Sequence, residues 1–374
     1  MIRVAHFYKV TSFDSYGGIE SFIDQLTKSF SDKNFIIRVI ACTKKNSRVI
    51  KKNNIEFYLY KETFDISSNT FSIDFLLNFK KHSSWCDIAH FHFPWPFFDI
   101  CYLFFPPKKM ILTYHADIIR QKKLLYFYKP LMKFLFNKVD RFVFTSSKYF
   151  LSSIFYNYFK KKPVFFIPLL FDINDLTILQ SKRTYEKKIN VELYGKYFVF
   201  IGQHRYYKNI STILKAAKLC KFNFCIVGDG PETKSLKKIK ANDNLKNVFF
   251  LGNVSNFDKH LLLKNAQALI LISSNRAEAF GQVLLEASAH KIPMITSEIN
   301  SGTSYVNIHR KTGYTIEDPF NFKKLAYYCH KLYQNKNLRD KMGTNAKLRF
   351  DKLFSIERVM NEYKKKYIEL YETK

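Results

Sequence analysis

The sequence predicts an α/β chain of two doubly wound, Rossmann-like halves, and three observations carry that prediction. Short apolar runs alternate with segments whose apolar residues recur every three to four positions, the order expected of helices crossing over a parallel sheet. Several of those runs end in glycine or in polar residues, where doubly wound sheets place their sites. At 374 residues the chain is long for one core and comfortable for two. We expect an N-terminal domain over residues 1–180, a second over 190–350 and a terminal helix over 351–374.

The first strand reads at residues 3–8, followed by a glycine turn and a helix over 16–29 with Ile19, Phe22, Ile23 and Leu26 on one face. Gly17 and Gly18 lie in this first loop, where absent side chains let the backbone approach a ligand, although a plain tight turn explains them equally well. Further strands read at 35–41, 55–60, 88–93, 109–114 and 141–145. Two of them end in polar residues. HFHFPWP carries His90 and His92, and LTYHADIIRQK carries His115, Asp117 and Arg120. His115 is the first-half site candidate, while His92 reads as a packed core residue.

From residue 121 to 162 lysines alternate with aromatic residues, which suits either a helix lying on anionic lipid or core-packed helices with solvated lysines. VFFIPLLFDINDL closes the first domain, and the Lys-rich run at 180–188 is the expected linker. The second half opens with YFVFIG, a buried strand ending in Gly202. Arg205 and Lys208 follow in the loop before the next helix, two cations placed to neutralise a diphosphate. Another strand ends at Gly228 in GDG, too short a pattern for a dinucleotide fingerprint, and VFFLGNVS places the backbone of Asn253 and Val254 at a further strand end.

The chain is organised around residues 273–293, SSNRAEAFGQVLLEASAHKIP. AQALILIS before it is a buried strand, and Val283, Leu284, Leu285 and Ala287 within it suit a helix packed on a sheet. Ala279, Phe280 and Gly281, with Gln282 next, fall at that helix's start, where free N–H groups and the macrodipole favour a diphosphate. Glu278 just before the start and Glu286 two turns inside would lie roughly 12 Å apart at about 1.5 Å of rise per residue, able to flank a diphosphate and accept from hydroxyls at both ends. A surface Glu and a capping Glu are the plainer alternative.

EAFGQVLLEA at 278–287, in which seven residues separate Glu278 from Glu286, resembles the Glu-x7-Glu motif of retaining GT-B glycosyltransferases of family 4. SGTSYVN at 301–307, TGY at 312–314, RYYKN at 205–209 and HADIIRQ at 115–121 resemble the branch that holds bacterial lipopolysaccharide and O-antigen α-mannosyltransferases. The resemblance implies the GT-B architecture, two Rossmann-like domains facing across a cleft, with the terminal helix crossing back to the first. It implies a retaining, metal-independent hexosyltransferase that takes mannose from GDP-mannose, or a hexose from a UDP-sugar, to a lipid-linked glycan. By the same resemblance Glu278 positions the sugar, Glu286 holds the ribose, His115 contacts the sugar and Arg205 with Lys208 stabilises the leaving diphosphate. Gly17, Gly18, Gly202, Gly228, Val254, Phe280, Gly281 and Gln282 would border the donor, and Ser301 to Ser304 would offer small hydrogen-bond donors. Four positions depart from the family pattern: Leu170, Asn209 and Lys291 stand where glycine is usual, and Gln203 where arginine is common. Lys291, at the expected end of the helix, predicts strain or a different cap.

Composition narrows the field. A formal charge of +30 implies attraction to polyanions, and an anionic membrane face at the cytoplasmic side is favoured over nucleic acid because no nucleic-acid-binding motif accompanies the charge. A non-catalytic, basic polyanion-binding protein is the reading from another class. Six scattered cysteines form no Cys-x-x-Cys pair and have no His partners at zinc spacing, so reduced thiols are expected. No Asp-x-Asp offers a carboxylate clamp for a divalent metal, and no cofactor is expected beyond the nucleotide-sugar substrate. The most apolar stretch, 91–107, is broken by His92, Asp99 and prolines and is no spanning helix. The opening residues lack the apolar core and cleavage site of a signal peptide.

Overall fold

The computed structural model describes residues 1–14, 17–30, 34–52, 54–66, 69–119, 122–173 and 189–373. The expected linker at 180–188, with Tyr16, Arg120 and Gln121, lies outside the described residues. Two compact units form, one from Met1–Leu170 with Ile356–Lys374 and one from Phe171–Ser355.

The first unit is built on β1 (Ile2–Phe7), β2 (Phe35–Thr43), β3 (Arg48–Lys52), β4 (Ile55–Lys61), β5 (Phe64–Ile66), β6 (Asn69–Phe71), β7 (Ile88–Phe93), β8 (Met110–Tyr114), β9 (Arg141–Phe144) and β10 (Val164–Phe166). Eight of these strands form one sheet in the order β10-β9-β8-β7-β1-β2-β4-β3, parallel except for β3, while β5 and β6 make a separate hairpin. β7 and β8 are buried along their whole length because helices cover both faces, which is why they read as continuous apolar runs. β3 and the hairpin were not expected: RVIKK is an exposed edge strand whose lysines read as a loop. The chain runs outward through β2 and β4 on one side of β1 and through β7 to β10 on the other. The topological switch point therefore lies between β1 and β7.

The helix Ile356–Glu372 belongs to this unit and buries Val359, Tyr363, Tyr367 and Leu370. Its two tyrosines carry hydroxyls into the core, where each finds a partner: Tyr367 reaches His90 Nδ1 at 2.5 Å and Tyr363 reaches the Thr113 hydroxyl at 3.2 Å.

The second unit carries β11 (Tyr197–Ile201), β12 (Asn223–Val227), β13 (Val248–Gly252), β14 (Leu269–Leu271), β15 (Met294–Ser297) and β16 (Gly313–Ile316). All are parallel, in the order β13-β12-β11-β14-β15-β16. Its switch point lies between β11 and β14. The loops leaving those two strands hold Arg205 and Lys208 on one side and Glu278 on the other, so topology alone brings the charged candidates of this unit to one crevice.

Candidate functional site

In the second unit the loop after β11 passes through a single turn at Tyr206–Lys208 and is bound to the loop after β14. The Tyr207 carbonyl accepts from the backbone N–H of Ser274 at 2.7 Å and from its hydroxyl at 3.3 Å. Across that junction the Lys208 ammonium pairs directly with Glu278 Oε2, which also accepts from the Ser273 hydroxyl at 3.3 Å. Both charges are nearly out of solvent. Burial alone would lower the Lys208 pKa, but the adjoining Glu278 carboxylate outweighs it and holds the pKa above its ordinary value. Arg205 remains exposed and donates from Nε to Gln203 Oε1 at 2.9 Å, so the glutamine at the usual arginine position braces the arginine two residues on.

The backbone here needs particular residues. Asn209, where the family pattern has glycine, adopts the left-handed conformation at φ 55°. Its amide donates to the carbonyls of Ile272 at 3.3 Å and Pro319 at 2.6 Å, offsetting the cost of that conformation in a way glycine has no side chain to do. Gly202 and Gly228 cross so closely that a Cβ on Gly228 would lie 2.1 Å from the Gly202 carbonyl oxygen. Gly228 is thus required by packing between strand ends, whatever else it does. Val254 follows β13, half-buried, in the same row of strand ends.

The helix of the motif spans Gln282–Ala289 with Gly281 as its N-cap at φ 79°. Glu286 therefore sits little more than one turn inside, not two, and Glu278, Ala279 and Phe280 belong to the preceding loop. Both carboxylates are buried, each 8% exposed, which removes the surface alternative. Glu286 meets Lys259 from the helix Asn256–Asn265: the ammonium lies 2.7 Å from Oε2 without the alignment of a hydrogen bond, and His260 Nε2 is 4.0 Å away. The SGT loop packs on Ala279 and Phe280, with the Gly302 N–H donating to the Ala279 carbonyl at 2.7 Å. Ser301 and Thr303 do not serve as open donors, because their hydroxyls are buried against each other at 3.1 Å, and Ser304 donates to Glu298 at 3.2 Å. Lys291 takes the left-handed conformation at φ 60° and caps the helix as the missing glycine would, under the expected strain.

In the first unit Gly17 caps the helix Gly18–Lys28 and leaves room for the Glu20 carboxylate, which folds back to within 2.3 Å of where a Cβ would stand. His115 follows β8 and is buried, its Nε2 2.9 Å from His92 Nδ1. His92 Nε2 is in turn 3.1 Å from His6 Nδ1. His90 Nε2 meets the Thr113 hydroxyl at 2.7 Å. His6, His90 and His92 bring ligand nitrogens within 4.8 Å of one another, the metal-compatible group among the described residues. Both nitrogens of His90 and of His92 already have hydrogen-bond partners, so the donor set fits a hydrogen-bonded cluster. Burial drives the pKa of His6 and of His115 down to about 3, and His90 and His92 well below their ordinary value, keeping all four rings neutral. Asp117 accepts from the Tyr114 hydroxyl at 2.8 Å and the Ser153 hydroxyl at 3.4 Å, a buried structural arrangement.

Residues 16–151 match the family model described as Glycosyltransferase Family 4, and residues 181–349 the one described as Glycosyl transferases group 1. The O-antigen chain mannosyltransferase C of Escherichia coli is 32% identical over all of both chains. The chain belongs to glycosyltransferase family 4. The D-rhamnosyltransferase WbpZ of Pseudomonas aeruginosa is 34% identical, over 95% of this chain and 92% of that one. Among solved structures, sucrose-phosphate synthase from Thermosynechococcus elongatus has a TM-score of 0.78 at 15% identity over 99% of each chain. Anabaena HepE in complex with UDP-glucose has a TM-score of 0.74 at 13% identity, over 99% of this chain and 100% of that one. These likenesses establish the GT-B fold for this family 4 glycosyltransferase.

Sequence reasoning missed Lys259 and the association of His6 with His90, His92 and His115. Lys259 gave no signal, being one of the many lysines of a strongly basic chain. The histidines did give one. HFHF alternates with period two on a buried strand, placing both histidines on one face, and His6 lies on the neighbouring strand in register with His90.

Proposed function

We propose that this glycosyltransferase moves mannose from GDP-mannose to a lipid-linked O-antigen-type glycan, without a divalent metal. The observation that carries the reading is the buried Lys208–Glu278 pair at the β11/β14 switch point of a chain similar along its whole length to an O-antigen chain mannosyltransferase. The donor diphosphate takes its place beside Lys208 and Arg205, and their charges stabilise the negative charge that grows as the glycosidic bond breaks. Glu278 accepts from a sugar hydroxyl, and Glu286, whose Oε2 stands 2.7 Å from the Lys259 ammonium, accepts from the ribose with its remaining lone pairs. His115, neutral, donates to the sugar. Gly202, Val254, Phe280, Gly281 and Gln282 line the donor.

A second reading concerns the donor sugar alone. The 34% identity to a D-rhamnosyltransferase favours 6-deoxymannose, which differs from mannose only by the missing 6-hydroxyl. UDP-hexoses form the third group to test. Thermal stabilisation by GDP, UDP and their sugar conjugates, with and without magnesium, separates these outcomes. A donor at about 100 times its dissociation constant adds roughly 2.7 kcal/mol, and Glu286→Ala should abolish the response. Silence with every nucleotide would sink the transferase reading.

For the acceptor, the reading places the enzyme peripherally on an anionic cytoplasmic membrane face. The helix Lys122–Lys138 exposes Tyr126 (77%) and Phe127 (80%) among lysines, and the helix Pro96–Phe104 that packs beside it exposes Phe104. No helix among the described residues is long and apolar enough to cross a membrane. An apolar edge bordered by ammonium groups matches an interfacial helix. Flotation with vesicles containing phosphatidylglycerol should be lost in the Tyr126→Ser, Phe127→Ser double variant, and retention would refute this part.

A further inference from the structure

The three histidines His6, His92 and His115 form a linear chain across the switch point of the first unit, with a buried, unpartnered nitrogen at its His6 end. β1 contributes His6, β7 contributes His92 and the turn after β8 contributes His115, so the chain crosses three adjacent parallel strands. Its two links are nitrogen-to-nitrogen, 3.1 Å and 2.9 Å. At His6 the other nitrogen, Nε2, is buried with no hydrogen-bond partner among the described residues.

A neutral imidazole holds one proton and offers one lone pair, so each link fixes the next ring. Only two proton arrangements satisfy both links. In one, His6 Nδ1–H donates to His92 Nε2, His92 Nδ1–H donates to His115 Nε2, and His115 keeps its proton on Nδ1. In the other every proton moves to the opposite nitrogen, leaving His115 Nδ1 bare and His6 Nε2 as a buried N–H with nothing to receive it. The first arrangement leaves a bare lone pair at His6 instead. Both arrangements leave His6 Nε2 unpartnered, and a buried N–H without a partner is rarer in proteins than an acceptor short of one. The first arrangement prevails.

We propose that His6 and His92 are positioning residues that fix His115 in the Nδ1–H form, so that its one remaining polar atom is a hydrogen-bond donor. This rests on the reading that His115 touches the donor sugar, and it specifies what His115 does there: it gives a hydrogen bond to a sugar oxygen and takes no proton. The cluster serves that role because its rings are buried among aromatic neighbours. Phe22 packs edge-on against His115 with ring centres 5.4 Å apart, the His92 and His115 rings meet edge to edge with centres 5.2 Å apart, and His90, stacked on His92 at 4.2 Å, spends both its nitrogens on the Thr113 and Tyr367 hydroxyls and takes no part in the hydrogen-bonded chain.

The test is nitrogen NMR of the ligand-free protein labelled in its histidine rings, run near neutral pH. Coupling through the His92–His115 hydrogen bond should identify the pair in the wild type, with the proton on Nδ1 of both rings. A proton on His115 Nε2, or an imidazolium at either ring, overturns the proposal without recourse to activity. The functional half is read from GDP released from GDP-mannose. His92→Phe should lower kcat about tenfold or more with little change in KM, as happens where an orienting partner sets a histidine tautomer, and should shift His115 toward Nε2–H. His92→Asn, whose amide nitrogen stands near Nδ1, should restore both. Equal losses in the two variants, or none, overturn the positioning role. Full turnover in His115→Gln withdraws His115 from the reaction and the proposal with it. A wild type that releases no GDP while showing the expected tautomers would instead refute the proposed donor and leave the relay standing.

Discussion

Acidification from about pH 7 to about pH 5.5 should destabilise the first unit by several kcal/mol, because five of its buried histidines are held neutral. Burial lowers His6, His82 and His115 to about 3, and lowers His90 and His92 well below their ordinary value, with neighbouring rings adding to the effect. When unfolded, each titrates near 6.5. The unfolded chain thus binds more protons throughout this window, and stability falls as pH falls. Integrating the linkage for one such ring gives about 1.25 kcal/mol, and for five about 6 kcal/mol. Asp99 opposes them. Burial pushes its carboxyl well above the carboxylate range, so it stays protonated when folded, and it returns at most about 2 kcal/mol over the same window. The net loss, about 4–6 kcal/mol, is comparable with the whole stability of an ordinary domain. Urea unfolding followed at both pH values through a probe in the first unit measures it. His82→Gln, which can still receive the Tyr60 hydroxyl now 2.7 Å from His82 Nε2, should lessen the pH dependence by one ring's share. A change below about 1.5 kcal/mol in the wild type would mean that these rings are protonated or wet in the folded state, and the reasoning would fail.

Three further outcomes are expected. Glu278→Ala strands the Lys208 ammonium in the crevice and should cost about 3–5 kcal/mol of stability, whereas Lys208→Met should show its main effect as a 10²- to 10³-fold loss of turnover, about that of one charge-stabilising donor; thermal melts and GDP release distinguish the two. Lys291→Gly relieves a non-glycine residue at φ 60° and should raise stability by about 1 kcal/mol in denaturant titration. Gly228→Ala forces a Cβ toward the Gly202 carbonyl and should lower the melting temperature of the second unit far more than an alanine at Gly252, where a Cβ would meet nothing within 4 Å.

The strands most legible in the sequence are those buried on both faces, β7, β8 and β11, because a short, continuous apolar run belongs where helices cover both sides of a parallel sheet. β3 and the β5–β6 hairpin escaped notice because edge strands carry lysines and exposed side chains, the same composition as a loop. The candidate site divides in the same way. Glu278, Lys208 and Gly281 lie where strand-end reasoning put them, since a switch point follows from strand order alone. Ser301 and Thr303 were misjudged because a hydroxyl's partner is invisible in sequence; theirs is each other. His6 was overlooked for a different reason. Its meaning depends on the register of β1 against β7, which pairs it with His90 and lays its ring against His92.

The two motif carboxylates are neutralised differently, and the difference matches the roles proposed for them. Glu278 is balanced through one oxygen: its Oε2 pairs with Lys208 and receives the Ser273 hydroxyl, so its charge is offset before any ligand arrives. In the proposed roles, a diphosphate entering beside Lys208 would compete for the same ammonium and free Glu278 Oε2 for a sugar hydroxyl, coupling leaving-group contact to sugar contact. Glu286 is close to the Lys259 ammonium at 2.7 Å, yet its Oε2 has no hydrogen bond. That oxygen is balanced by charge and not by an aligned hydrogen bond, which leaves carboxylate lone pairs able to accept from a ligand. A ribose offers two hydroxyls for the purpose. On this account Lys259→Met should weaken nucleotide binding less than Glu286→Gln, because the lysine supplies charge balance whereas the carboxylate supplies the acceptors. Calorimetric titration with GDP decides the order, and the reverse order would assign the nucleotide contact to Lys259.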